Sequence, residues 1–184
     1  MIALIIILAI VVVLALVTVV VYNGLIRKRN QVENSWAQID VQLKRRLDLI
    51  PNLVNTVKGA SDYEKTTLDA VIQARNSAIA APSTPGAQAA ADTQITGALR
   101  QFFALSEAYP ELKANQGYLN LQEELSDTEG RVAYARQFYN DAVNAYNNKL
   151  DTFPSVIFAR IMKFGRREYF EADPAARQAP TVTF

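Results

Sequence analysis

The chain has 184 residues, 50% of them hydrophobic, and its 19 Lys and Arg nearly balance 18 Asp and Glu for a net charge of +1. It contains no cysteine and no histidine. This excludes disulfides, zinc–thiolate sites and thiol nucleophiles within the chain, removes the commonest general base and metal ligand, and gives no global pull toward nucleic acid.

The first predicted element is a transmembrane anchor, residues 1–22. From Met1 to Val21 only Thr18 is polar, and its hydroxyl can bond back to its own helix. Twenty-one helical residues span roughly 31 Å, the thickness of a bilayer's hydrocarbon core. A cleaved signal peptide would show a charged start, a shorter apolar core and a small-residue cleavage motif, and this stretch has none of them. Just past it stand Arg27, Lys28 and Arg29. By the positive-inside rule they put the following domain in the cytoplasm and the N-terminus outside.

From Val32 the apolar positions run Val32, Trp36, Ile39, Leu43, Leu47, Ile50, Val54 and Val57, spaced by three or four. That is one face of a long helix, which Pro51 is expected to kink and Gly59 to end. Ser61 and Glu64 form a capping box opening a second helix to about Ala80, with Leu68, Val71, Ile72 and Ile79 inward. A Pro- and Ser-rich loop follows. A third helix is expected from about Ala87 to Ala108, with Ile95, Leu99, Phe102, Phe103 and Leu105 inward, and then a short helical turn over 111–114.

The last long helix carries Tyr118, Leu121, Leu125, Thr128, Val132, Ala135, Tyr139, Ala142, Tyr146, Leu150 and Phe153 at spacings of three and four. This is close to a heptad seam, and Phe153-Pro154 stops it. The reading is all-α: a transmembrane helix followed by an antiparallel up-down bundle of about four helices, the first and last of them long. The domain division is 1–22 anchor, 23–154 bundle, 155–170 a basic amphipathic membrane-proximal segment, and 171–184 an irregular tail.

In the 155–170 segment Val156, Ile157, Phe158, Ile161, Met162 and Phe164 supply apolar bulk, and Arg160, Lys163, Arg166 and Arg167 supply charge. Two readings stay open: the segment lies at the bilayer interface, or its apolar side packs on the bundle and its cations are solvated. With Arg27, Lys28 and Arg29, these four make seven candidate membrane-proximal cations. Asn140, Asn144, Asn147 and Asn148 form a polar stripe beside the seam. Asn140 and Asn144 are candidate interaction residues, bonding across helices or across copies of the chain; a polar outer face is the alternative. Glu123, Glu124, Asp127 and Glu129 cluster on one helix but have no partner cluster elsewhere, so a metal site is not expected. No phosphate-binding glycine loop, nucleophile–base pair or cofactor motif is found.

Several runs resemble the LemA family: Tyr22-Asn23, Arg29-Asn30, Trp36, the stretch Asp40 to Val54 (DVQLKRRLDLIPNLV), Leu121 to Leu125 (LQEEL), Ala133 to Val143 (AYARQFYNDAV) and Asn147 to Pro154. The resemblance covers roughly residues 20 to 155. It implies a bacterial, membrane-anchored helical protein, in a family that includes proteins of magnetosome membranes, and it supplies no catalytic residues to carry over. Some members resemble lipoproteins with a Cys before the Tyr-Asn pair. This chain lacks that Cys, and those relatives leave open a bundle on the outer face.

The functional expectation is a non-enzymatic single-pass protein, without cofactor, nucleic acid or small-molecule substrate. Its partners would be the lipid bilayer and further copies of itself, for self-association or membrane organisation. The alternative is an accessory subunit docking a membrane protein in envelope stress or quality control.

Overall fold

The computed structural model describes residues 1–58 and 65–171. Among these, six helices follow in order: α1 (Ile2–Lys58), α2 (Lys65–Ala80), α3 (Pro85–Ser106), α4 (Pro110–Lys113), α5 (Gln116–Asp151) and α6 (Ser155–Ile161). The expected all-α fold is what the chain adopts. Gly59, the Ser61–Glu64 capping box and the tail beyond residue 171 lie outside the described residues.

α1 is one helix of 57 residues, running through both Gly24 and Pro51. The contacts divide the chain into two compact units, 1–37 with 138–168, and 38–137 with 169–184.

In the first unit, residues 1–17 at the N-terminal end of α1 are all exposed among the described residues. Its 18-residue apolar window has a mean hydropathy of 3.6, so it is long and apolar enough to cross a membrane. Thr18 donates its hydroxyl to the Leu14 carbonyl at 2.7 Å, hiding the one polar group within the helix. Burial begins at Val21 and Leu25 and continues at Val32. From α5 the predicted seam residues Tyr139, Ala142, Tyr146 and Leu150 are buried, with Val143 beside them, and Trp36 stacks on Tyr139 with ring centroids 5.5 Å apart.

The second unit is a bundle whose helices alternate in direction. Arg46 on α1 reaches Asp92 and Thr96 on α3 and Glu129 on α5. A Cβ placed on Gly117 would lie 3.9 Å from the Thr56 methyl. Residue numbers thus rise along α1 as they fall along α5. The Tyr118 hydroxyl donates to Ser106 Oγ at 2.6 Å, pairing the end of α3 with the start of α5. Only residues 81–84 separate α2 from α3, which makes those two antiparallel neighbours. Ile50, Leu53, Val57, Leu68, Val71, Ile95, Leu99, Phe102, Leu112, Tyr118 and Leu125 share the core.

Side-chain placement differs from expectation at three positions. Ile79 is 57% exposed, and Ala78 is buried in its place, continuing the Leu68–Val71 face. Phe153 is 80% exposed because α5 ends at Asp151, so Phe153 falls in the turn and off the seam. On α1 the fully buried residue between Leu43 and Ile50 is Arg46, and Leu47 is only partly covered. α3 also starts earlier than expected, at Pro85, with the extended Thr84 before it. Proline at the first helical position has no N–H to leave unsatisfied there.

Candidate functional site: a basic cleft beside the apolar helix

Two polar clusters are candidates for function, one in each unit. In the second unit Arg46 Nη1 donates to Asp92 Oδ1 at 2.7 Å and to Thr96 Oγ1 at 2.9 Å, and Nη2 lies 3.8 Å from Glu129. The Arg46 side chain is only 2% exposed. Burial pushes the Asp92 carboxyl above its usual range, outweighing the opposite pull of Arg46's charge and hydrogen bond. The pair ties α1 to α3 inside the bundle.

The first unit holds a more open arrangement. α6 buries Ser155 and Ala159 and leaves Ile157 and Ile161 exposed. Its end is a Schellman motif: Phe164 N donates to Ala159 O at 2.9 Å and Lys163 N to Arg160 O at 3.3 Å. Lys163 takes the left-handed position of that motif with φ 56°, where glycine is the usual residue.

Residues 162–168 then run without regular structure along α5, and α5 side chains hold them by their backbone. Tyr146 donates its hydroxyl to Gly165 O at 3.1 Å and Tyr139 donates to Glu168 O at 2.9 Å. Asn147 bonds Arg167 twice: its amide N donates to Arg167 O and its Oδ1 accepts from Arg167 N, both at 2.9 Å. Tyr139, Tyr146 and Asn147 are all buried, so these bonds answer polar groups that would otherwise be costly inside the fold. Burial raises both phenols above their ordinary pKa, although Arg167 pulls each the other way.

Between this segment and residues 22–29 of α1 lies a cleft of about 430 Å³, lined by Tyr22, Ile26, Arg29, Tyr146 and the stretch 162–167. Tyr22 meets Phe164 edge-on, with ring centroids 6.1 Å apart. Among the described residues, four cations, Arg29, Lys163, Arg166 and Arg167, line the cleft, and no carboxylate does. Two carboxylates reach those cations: Glu33 lies 3.7 Å from Arg29 and 2.9 Å from Arg167, and Asp151 lies 3.3 Å from Arg166. Arg29 Nε is covered yet has no hydrogen-bond partner among the described residues.

All seven cations singled out in the sequence belong to this first unit. Four of them line the cleft. Arg27 bonds back to the Asn23 carbonyl on the exposed side of α1. In the polar stripe, Asn144 is exposed and accepts from Asn148 at 3.3 Å, and Asn140 is partly covered. The asparagine that organises the cleft is Asn147. Its sequence signal was its place beside the seam, one residue after Tyr146. Arg46 carried a similar signal, three residues after Leu43 and four before Ile50.

An exposed apolar helix of membrane-spanning length, a helical bundle and a cation-lined cleft define a membrane-associated helical protein. Residues 35–184 match the LemA family, and the chain belongs to it. It is 28% identical over 158 residues to Protein LemA of Metamycoplasma hominis, covering 84% of this chain and 71% of that one. It is 33% identical over 93 residues to Magnetosome protein MamQ 2 of Paramagnetospirillum magneticum, covering 50% of this chain. A magnetosome protein MamQ of Magnetospirillum gryphiswaldense is 32% identical over the same length. The match spans only 34% of either magnetosome protein.

Proposed function

We propose that this protein is a non-enzymatic single-pass membrane protein that presents its helices at the membrane surface, where copies associate or organise the bilayer. The observation that carries the reading is the wholly exposed, wholly apolar surface of residues 1–17, in the same unit as all seven singled-out cations. An apolar surface of that length in water would be very unfavourable, and lipid is the solvent that suits it. Each cation near an anionic surface adds on the order of 1 kcal/mol of attraction, less with salt. The Arg27–Arg29 cluster favours a cytoplasmic bundle. The names of the relatives are not enzyme names, which also supports a non-enzymatic role.

The reading is tested by crosslinking the full-length protein in native membranes. A ladder of self-crosslinked species is expected. One dominant foreign partner, with no self-crosslinks, would move the function to an accessory subunit that docks another membrane protein.

A further inference from the structure

We infer that the cleft between residues 22–29 and 162–167 is a binding site for the phosphate of an anionic membrane lipid. The inference rests on the membrane-surface reading and deepens it: a shaped site would take one headgroup, beyond a diffuse attraction to the surface.

Three observations point the same way. Four cations line the cleft, and the ion pairs seen among the described residues set two carboxylates against them, so positive charge predominates there. A lipid phosphate brings a single negative charge and several acceptor oxygens. Arg29 lines the cleft, and its Nε, covered by protein, has no hydrogen-bond partner among the described residues. The acid nearest it, Glu33, stands at 3.7 Å, beyond hydrogen-bond reach. A turn of the guanidinium toward the cleft would present that N–H to a phosphate oxygen for a charge-assisted bond.

Lys163 is the third observation. It occupies a left-handed position that glycine fills without strain. Among the described residues Lys163 makes no ion pair, and it is exposed on the cleft lining. An ammonium on the cleft lining is available to an anion bound there.

Position along α1 selects the lipid over a soluble phosphate. Tyr22 directly follows the apolar run, and Arg29 lies about 10 Å further along the helix. Headgroups occupy roughly the first 5–8 Å beyond the hydrocarbon on each side. The Tyr22–Phe164 wall therefore falls at the depth where aromatic side chains favour the interface. The Arg29 side chain then meets the phosphate from the water side. The cleft's volume of about 430 Å³ is in the range of small-ligand sites.

The test is native mass spectrometry of the full-length protein released from mixed micelles, with phosphatidylglycerol against phosphatidylcholine. One tightly retained phosphatidylglycerol per chain is expected. Arg29→Gln and Lys163→Gly should each weaken its retention at least fivefold. Lys163→Gly also relieves the backbone, so its loss of binding cannot be assigned to misfolding. Arg27→Gln, with the same change in net charge outside the cleft, should weaken retention by less than twofold.

Equal losses in all three variants would overturn the cleft and keep the diffuse surface attraction. Equal retention of the two lipids by the wild type would overturn the site outright. Displacement of the lipid by millimolar glycerol 3-phosphate would overturn the assignment to a lipid in favour of a soluble phosphate. If the protein fails to enter the bilayer at all, vesicle flotation reports it, and that outcome removes the membrane reading along with the site.

Discussion

Pro51 shows how one residue's chemistry is answered by another far away in sequence. Proline has no N–H, so the Leu47 carbonyl four residues earlier loses its helical donor. Arg75 on α2 supplies the replacement, its Nε donating to Leu47 O at 2.9 Å. Losing Arg75 should leave that part-buried carbonyl unpaired at a cost of about 1–3 kcal/mol. In a Pro51→Ala background the restored backbone N–H serves Leu47, and Arg75→Ala should then cost less than about 1 kcal/mol. Chemical denaturation of the four proteins in detergent measures the cycle, and equal costs in both backgrounds would contradict the pairing. The interruption at Pro51 was legible in the sequence. Its compensation was not, because no spacing rule links positions 51 and 75. Arg46 went unread for another reason: a charged side chain on an apolar stripe looks misplaced until Asp92 and Thr96 are seen around it.

Among the elements, the periodic ones were read well. The face of α1 from Val32 to Val57 and the seam of α5 from Tyr118 to Leu150 are packed largely as their three- and four-residue spacings indicate. Residues 162–168 have no period, so their bonds to Tyr139, Tyr146 and Asn147 could not be anticipated. Those bonds make the segment sensitive to alkali. Both phenols are raised above their unfolded value of about 10, so at intermediate pH the folded protein holds protons that the unfolded chain has released. Their contribution is therefore complete below about pH 10 and is lost as pH rises through the folded pKa values. Denaturant midpoints measured from neutral pH to about pH 11 should fall for the wild type. The double variant Tyr139→Phe, Tyr146→Phe should start lower by about 1 kcal/mol per lost bond and fall less steeply. Parallel curves would separate these phenols from the segment's stability.

At the scale of the molecule, membrane association follows from a surface no soluble fold leaves bare. The sequence made the apolar run plain, and α1 adds that it continues as helix through Gly24 into packed residues. It also made the family plain, since the runs from Asp40 to Val54 and from Ala133 to Val143 fall within the matched residues. The cleft was out of reach, because it needs Arg29 brought beside Lys163 across more than a hundred residues of intervening chain.

The native chain has no cysteine, so single cysteines report position without interference. In lipid nanodiscs, where both faces are open to solvent, a charged water-soluble maleimide should label Val41→Cys and Tyr134→Cys within minutes. Leu8→Cys, Val12→Cys and Leu16→Cys should stay unlabelled until detergent is added. Labelling of Val12→Cys as fast as Val41→Cys would contradict the membrane-spanning placement on which this account of the protein stands.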